Sequence, residues 1–182
     1  MPEETLQEFT QRWWRDLLQD EVQLMRWLNR LYHNEKEADQ RFVNFAAKFC
    51  QQDEESRKVF MVIANQEAAH ARLVQSVMLN RGWTTWSEPA GPERYWNTTR
   101  HLADDIKTAA AVGAYAEVTS LNRLRVLATD EQTPADLKEM FAAILPDEEY
   151  HAKALADLAG PDKMALVRPY HEAGLRNLGL HR

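Results

Sequence analysis

Glu67-Ala68-Ala69-His70 and Glu148-Glu149-Tyr150-His151 are the two stretches that decide how this chain folds. Each is a Glu-x-x-His. Residues three apart lie on one face of an α-helix, because about 3.6 residues complete a turn. Each pair can therefore present a carboxylate and an imidazole to the same ion. A further glutamate precedes each pair: Glu35 stands thirty-two residues before Glu67, and Glu117 thirty-one before Glu148. The chain thus repeats one pattern, a glutamate-bearing helix, a turn and a Glu-x-x-His helix. An isolated Glu-x-x-His is most often a solvated helix face, and it is the repeat in register that gives these two their weight.

The surroundings of the four glutamates show which face they occupy. A helix over about 21–50 carries Leu24, Leu28, Leu31, Phe42, Phe45, Ala46 and Phe49 as its apolar stripe. At about 100° per residue, Leu28 and Phe42 each lie within about 20° of Glu35. Glu37 falls on the opposite face beside His33, Arg41 and Asn44, so Glu35 is the inward carboxylate. A second helix, about 54–81, has Phe60, Ile63, Val74 and Met78 around Glu67, with His70 at the stripe's edge, and Gly82 as its C-cap. A third, about 100–130, has Ile106, Ala110, Gly113, Leu121, Leu124 and Ala128 around Glu117. A fourth, about 134–159, has Leu137, Phe141, Ile144 and Leu155 around Glu148, with His151 one turn on. Thr133 and Pro134 mark its start and Gly160-Pro161 its end. Pro146 lies inside it and predicts a kink or bulge next to Glu148.

Between the halves, residues 82–99 hold Gly82, Trp83, Trp86, Pro89, Gly91, Pro92, Tyr95 and Trp96. Pro and Gly stop regular structure there. The length suits a crossover between parallel helices of a bundle, and the tryptophans predict that it packs on the bundle. Before the bundle, Leu6, Phe9, Trp13 and Leu17 predict an accessory helix over 3–18, and Asp20 with Gln23 predicts a break after it. Residues 161–182 read as a weakly helical tail interrupted by Pro169 and Gly174.

The bulk numbers agree with this all-α reading. The 182 residues suit a single domain, 45% are hydrophobic, and there are only 6 Gly and 7 Pro. A net charge of -6 argues against sequence-independent nucleic-acid binding. Cys50 is the only cysteine, which excludes an internal disulfide and a thiolate metal cluster. No run of about 18 apolar residues is present, so no membrane span is expected. The acidic start, Met1-Pro2-Glu3-Glu4, is unlike a signal peptide, and the expected location is cytoplasmic.

Four carboxylates on apolar stripes would repel one another, and each costs roughly several kcal/mol to bury bare. Two histidines cannot neutralise four acids, whereas two divalent cations can. Oxygen and nitrogen ligands without sulfur suit iron or manganese.

With Glu35-x-x-Ala38-x-x-x-Phe42, Glu67-x-x-His70, Glu117-x-x-Ser120 and Glu148-x-x-His151, residues 21–159 resemble the ferritin-like di-iron carboxylate superfamily of ferritins, bacterioferritins, rubrerythrins and carboxylate-bridged oxygenases. The resemblance implies a four-helix bundle with a long crossover and two metal ions, iron or manganese or one of each. It implies Glu35 and Glu117 as terminal ligands, Glu67 and Glu148 as bridges, and His70 and His151 as nitrogen ligands. It also implies an oxidoreductase that activates dioxygen or peroxide, with a small-molecule substrate or ferrous iron oxidised and an electron donor the sequence does not name. A ferroxidase or storage protein is the alternative, and a bundle without catalysis a further one. A homodimer is compatible with the oxidoreductase reading, whereas storage requires a large hollow shell.

Two departures bear on the activity. Ser120 stands where rubrerythrins carry an extra carboxylate, and the four cysteines of a rubredoxin domain are missing. Both argue against a rubrerythrin peroxidase as such. Among the remaining candidates, Asp147 is a possible hydrogen-bond partner for a ligand histidine. Glu37, Glu149, His33, His101, His171 and His181 are expected at the surface, and Trp13, Trp14, Trp27 and Tyr32 in packing roles. Ala110, Gly113 and Ala114 near Glu117 leave either a cavity or a close helix contact.

Overall fold

A computed structural model of the chain describes residues 5–87 and 96–178. Among these residues there are helices and no strands. Helix α1 spans Leu6–Leu18, α2 Glu21–Phe49, α3 Glu54–Asn80, α4 Trp96–Thr99, α5 Ile106–Thr129 and α6 Ala135–Leu178.

Side-chain caps set most of these boundaries. Thr5 and Glu8 form a reciprocal capping box at the start of α1. Asp20 accepts from the backbone N–H groups of Val22 and Gln23, which breaks the chain between α1 and α2 as expected. Asp53 caps α3 through Ser56, and Gly82, at φ +76°, follows its end. The third long helix begins at Ile106 rather than near 100. Asp105 accepts from the Thr108 N–H at 2.7 Å, and a 3-10 turn over Arg100–Leu102 precedes it.

The tail is the largest correction. Residues 161–178 are helical, and the chain continues through α6 after one non-helical residue, Gly160, at φ 75° and ψ 164°. Pro161 opens the following segment, where its missing N–H costs nothing. Pro146 lies within α6 with helical dihedrals, and Gly160 alone departs from them. The start of the first helix at residue 3, the Pro89, Gly91, Pro92 and Tyr95 stretch, the Trp96 side chain, His181 and the tail beyond 178 lie outside the described residues.

Contacts give the directions of the long helices. Phe42 meets Phe60 and Glu35 meets His70, so α2 and α3 run antiparallel. Arg125 meets Glu149, and Gly113 lies against Leu155, so α5 and α6 do the same. Gln66 meets His151 while His70 meets Asp147, which makes α3 and α6 antiparallel too. It follows that α3 and α5 are parallel, and their connection must run the length of the four-helix bundle. Its first part is pinned to α2. The Asn29 amide donates to the Trp86 carbonyl at 3.1 Å and accepts from the Trp86 N–H at 3.0 Å. His33 also donates to that carbonyl, at 2.7 Å, which makes it half-buried rather than a surface residue.

The core divides into two apolar layers. Phe42, Phe60, Ile63, Ala110, Ala114 and Leu155 belong to one, and Trp14, Leu28, Val74, Leu124, Phe141 and Ile144 to the other. Burying each large side chain contributes roughly 1.5–3 kcal/mol. Trp13, Trp14 and Trp27 pack edge-on or tilted with one another, and Trp14 and Trp27 also meet Phe141, which docks α1 on the second layer. The Trp14 indole donates to Thr133 at 2.7 Å, and Arg15 and Gln11 hold Asp130. In each long helix the residues between the two layers are polar: Glu35, Glu67 with His70, Glu117, and Glu148 with His151.

Candidate metal centre

All six side chains in that polar layer are buried. Their helices place them at one level because each motif glutamate sits where its stripe passes from one apolar layer to the other. Two overlapping groups result, Glu35 with Glu67, His70 and Glu148, and Glu67 with Glu117, Glu148 and His151. Within each group the donor atoms lie within 4.8 Å of one another. Glu67 and Glu148 belong to both. Glu37 is exposed on the far side of α2.

The imidazoles point the same way. His70 Nδ1 lies 3.5 Å from Glu35, 3.4 Å from Glu148 and 3.7 Å from Glu67. His151 Nδ1 lies 3.3 Å from Glu67. Their Nε2 atoms face outward: His70 Nε2 donates to Asp147 Oδ2 at 3.2 Å, and His151 Nε2 donates to Gln66 Oε1 at 3.1 Å. Gln66 Nε2 in turn donates to Asp147 Oδ1 at 2.5 Å. Asp147 thus partners a motif histidine, as its position suggested. Gln66 was not visible from the motif alone, although it precedes Glu67 as Asp147 precedes Glu148, and this shared offset was the available signal.

The electrostatics show what the cluster needs. Burial raises Glu35 and Glu117 well above the usual carboxylate range, with neighbouring carboxylates adding to the effect. Burial works against a charge on His70, but Glu148, Glu35 and Glu67 around it push it up to about 12. Burial also opposes a charge on Glu67, yet the His151 and His70 rings and Glu35 beside it hold it well below its ordinary value. Burial and mutual repulsion thus favour the protonated forms of Glu35 and Glu117, and positive charge at the cluster would offset both effects.

The donor set is of a kind that could hold metal. His70 Nδ1, His151 Nδ1 and Glu148 Oε2 are buried without a hydrogen-bond partner, and leaving such groups unmet costs roughly 1–3 kcal/mol each. All three belong to the cluster, and a cation there would satisfy them. Four carboxylates, two imidazoles and no sulfur suit iron or manganese.

The small residues on α5 do not form a cavity beside the cluster at Gly113. A Cβ there would meet Leu155 Cδ1 at 3.1 Å and the Phe42 ring at 3.6 Å. Gly113 therefore permits close helix packing. His171 is also not a surface residue: it is buried and stacks on Tyr115 at 4.4 Å between ring centres. His101 is exposed, as expected.

The rubrerythrin family model matches residues 27–159, which includes all six side chains of the polar layer. No curated protein and no solved structure matches the chain.

Proposed function

Since the chain belongs to the rubrerythrin family, within the ferritin-like superfamily, we propose that it is a di-iron oxidoreductase acting on dioxygen or peroxide. Manganese, or one ion of each metal, fits the same donors. Glu35 and His70 would hold one ion, Glu117 and His151 the other, and Glu67 and Glu148 would bridge them. The observation that carries this reading is the sharing of Glu67 and Glu148 between two four-residue donor groups. Bridging carboxylates keep two ions close enough to act together. Bound there, two ferrous ions would supply two electrons for reducing hydrogen peroxide, which takes up two protons to give two waters.

The chain's own residues prepare that chemistry. The apolar layers above and below exclude water from the centre. Asp147 and Gln66 hold both rings with Nδ1 inward. Burial favours the protonated forms of Glu35 and Glu117, so cations would compete with protons at both carboxylates. Ser120, half-buried one turn after Glu117, offers no carboxylate, so the activity differs from that of a rubrerythrin peroxidase in its ligand set.

The test is anaerobic loading with ferrous iron, followed by stopped-flow mixing with dioxygen or hydrogen peroxide. Two irons per chain should bind and oxidise rapidly, and the Glu67→Ala/Glu148→Ala variant should lose both properties. A wild type that binds two irons yet consumes neither oxidant faster than free ferrous iron would defeat the oxidoreductase reading. Light scattering separates the storage alternative, because storage requires a large hollow shell.

A further inference from the structure

Both ligand histidines are oriented by one hydrogen-bonded chain, His70–Asp147–Gln66–His151. It crosses between α3 and α6, and its two middle members are different chemical groups. A carboxylate offers two accepting oxygens and no donor, whereas an amide offers one acceptor and one donor. Asp147 accepts from His70 on Oδ2 and from Gln66 on Oδ1. Accepting from Gln66 fixes which end of that amide faces Asp147, so its oxygen is the end left for His151.

We infer that Asp147 and Gln66 are positioning residues that together decide which ring nitrogen carries the proton in both ligand histidines. This rests on the metal-binding reading above. A neutral imidazole binds a cation through the nitrogen that lacks the proton. With Asp147 accepting at His70 Nε2, the nitrogen left to give up its proton to a cation is Nδ1, facing the cluster. With Gln66 held oxygen-outward by Asp147, the same holds for His151. One carboxylate thereby sets the donor atom of one ring directly and of the other through an amide.

The difference between carboxylate and amide makes this testable. In Asp147→Asn the new amide has one accepting oxygen. If that oxygen serves His70, its NH2 faces Gln66, the Gln66 amide turns over, and its NH2 meets His151 Nε2. The proton of His151 then moves to Nδ1, the atom that should bind metal. If the new amide turns the other way, His151 is preserved and His70 is lost. Either way one ring is correctly protonated and the other is not. Exchanging the groups, Gln66→Glu with Asp147→Asn, restores a complete chain. The amide at 147 accepts from His70 and donates to the carboxylate at 66, which accepts from His151.

The experiment is a Mn(II) titration of the full chain, read by electron paramagnetic resonance of the free ion and by calorimetry, with a thermal melt to check folding. The wild type should bind two ions. Asp147→Asn should keep one and bind the other about 10–100-fold more weakly, the usual loss when a ligand histidine loses its partner. The exchanged double variant should recover the second ion, which loss of packing would not produce. Gln66→Met, which removes the partner of His151 alone, should also weaken one ion, and it carries the test if Asp147→Asn does not fold. Two ions bound with unchanged affinity in Asp147→Asn, or a double variant weaker than Asp147→Asn, overturns the inference and leaves the proposed function standing. A wild type that binds neither Mn(II) nor Fe(II) overturns both.

Discussion

Glu35 and Glu37 carry the same side chain two residues apart, and about 200° of helix rotation separates their fates. Glu35 faces His70 in the buried layer, while Glu37 is in water. Glu35→Ala should therefore lower metal content, and Glu37→Ala should leave it unchanged, as measured by metal analysis after anaerobic loading. The reverse pattern would mean that the phase of α2 is misassigned. The buried groups also predict a pH dependence. Glu35 and Glu117 have raised values and His70 is pushed up to about 12, so cations compete with protons for these groups. Metal affinity should rise with pH through the neutral range, with protons released on binding. Calorimetry in buffers of different ionisation enthalpy measures that release, and a pH-independent affinity would contradict it. For the metal-free fold the sign is the same for these three groups. Each has a raised folded value, so its contribution is complete below its ordinary value, 4.5 for the glutamates and 6.5 for the histidine, and is lost as pH rises. Glu67, held low, acts oppositely and loses its contribution as pH falls below 4.5.

At the scale of elements, the break in α6 depends on one residue. Gly160 at φ 75° and ψ 164° occupies a region that essentially only glycine adopts. A Cβ there would meet nothing within 4 Å, so the cost of adding one is confined to the backbone. Gly160→Ala should destabilise the chain by about 1–3 kcal/mol in urea unfolding. It should do so without removing metal binding, because the centre lies nine residues away at His151. An unchanged midpoint would show that the segment after Gly160 contributes nothing to cooperative unfolding. That segment is attached through polar contacts as well as apolar ones. The Tyr115 hydroxyl donates to the Met164 carbonyl at 3.0 Å, and Lys163 reaches Asp105 at 2.7 Å at the N-cap of α5. These contacts explain why a stretch with Pro161 and Pro169 is helical when its sequence reads as a tail.

For the whole molecule, the polar layer is a local instability between two stable ones. Ions that bind only the folded state stabilise it by mass action, by about 2.7 kcal/mol at 100 times the dissociation constant. Ferrous or manganous ions should therefore raise the melting temperature of the wild type. Glu67→Ala with Glu148→Ala should abolish that rise. A double variant that fails to fold would show instead that these carboxylates hold the bundle together through His70 and His151. Thermal melts of both proteins, with and without metal, distinguish these outcomes. Among the described residues, no helix is long and apolar enough to cross a membrane.

Periodicity and local chemistry were enough to read the helical class, the repeat, the apolar stripes and the inward face of Glu35, because these depend only on helix geometry and on what burial costs. The breaks at Asp20 and Gly160 were legible for the same reason: each is written in one or two neighbouring residues. Tertiary structure alone decided what depends on two distant segments. The antiparallel pairing of α3 with α6 joins Gln66 to Asp147 and His151, and no pattern within either helix carries that information. The burial of His171 needs Tyr115 from another helix, and the close contact at Gly113 needs Phe42 and Leu155. The helix after Gly160 opens favourably at Pro161 but runs through Pro169, and long-range contacts absent from any local window hold it against the bundle.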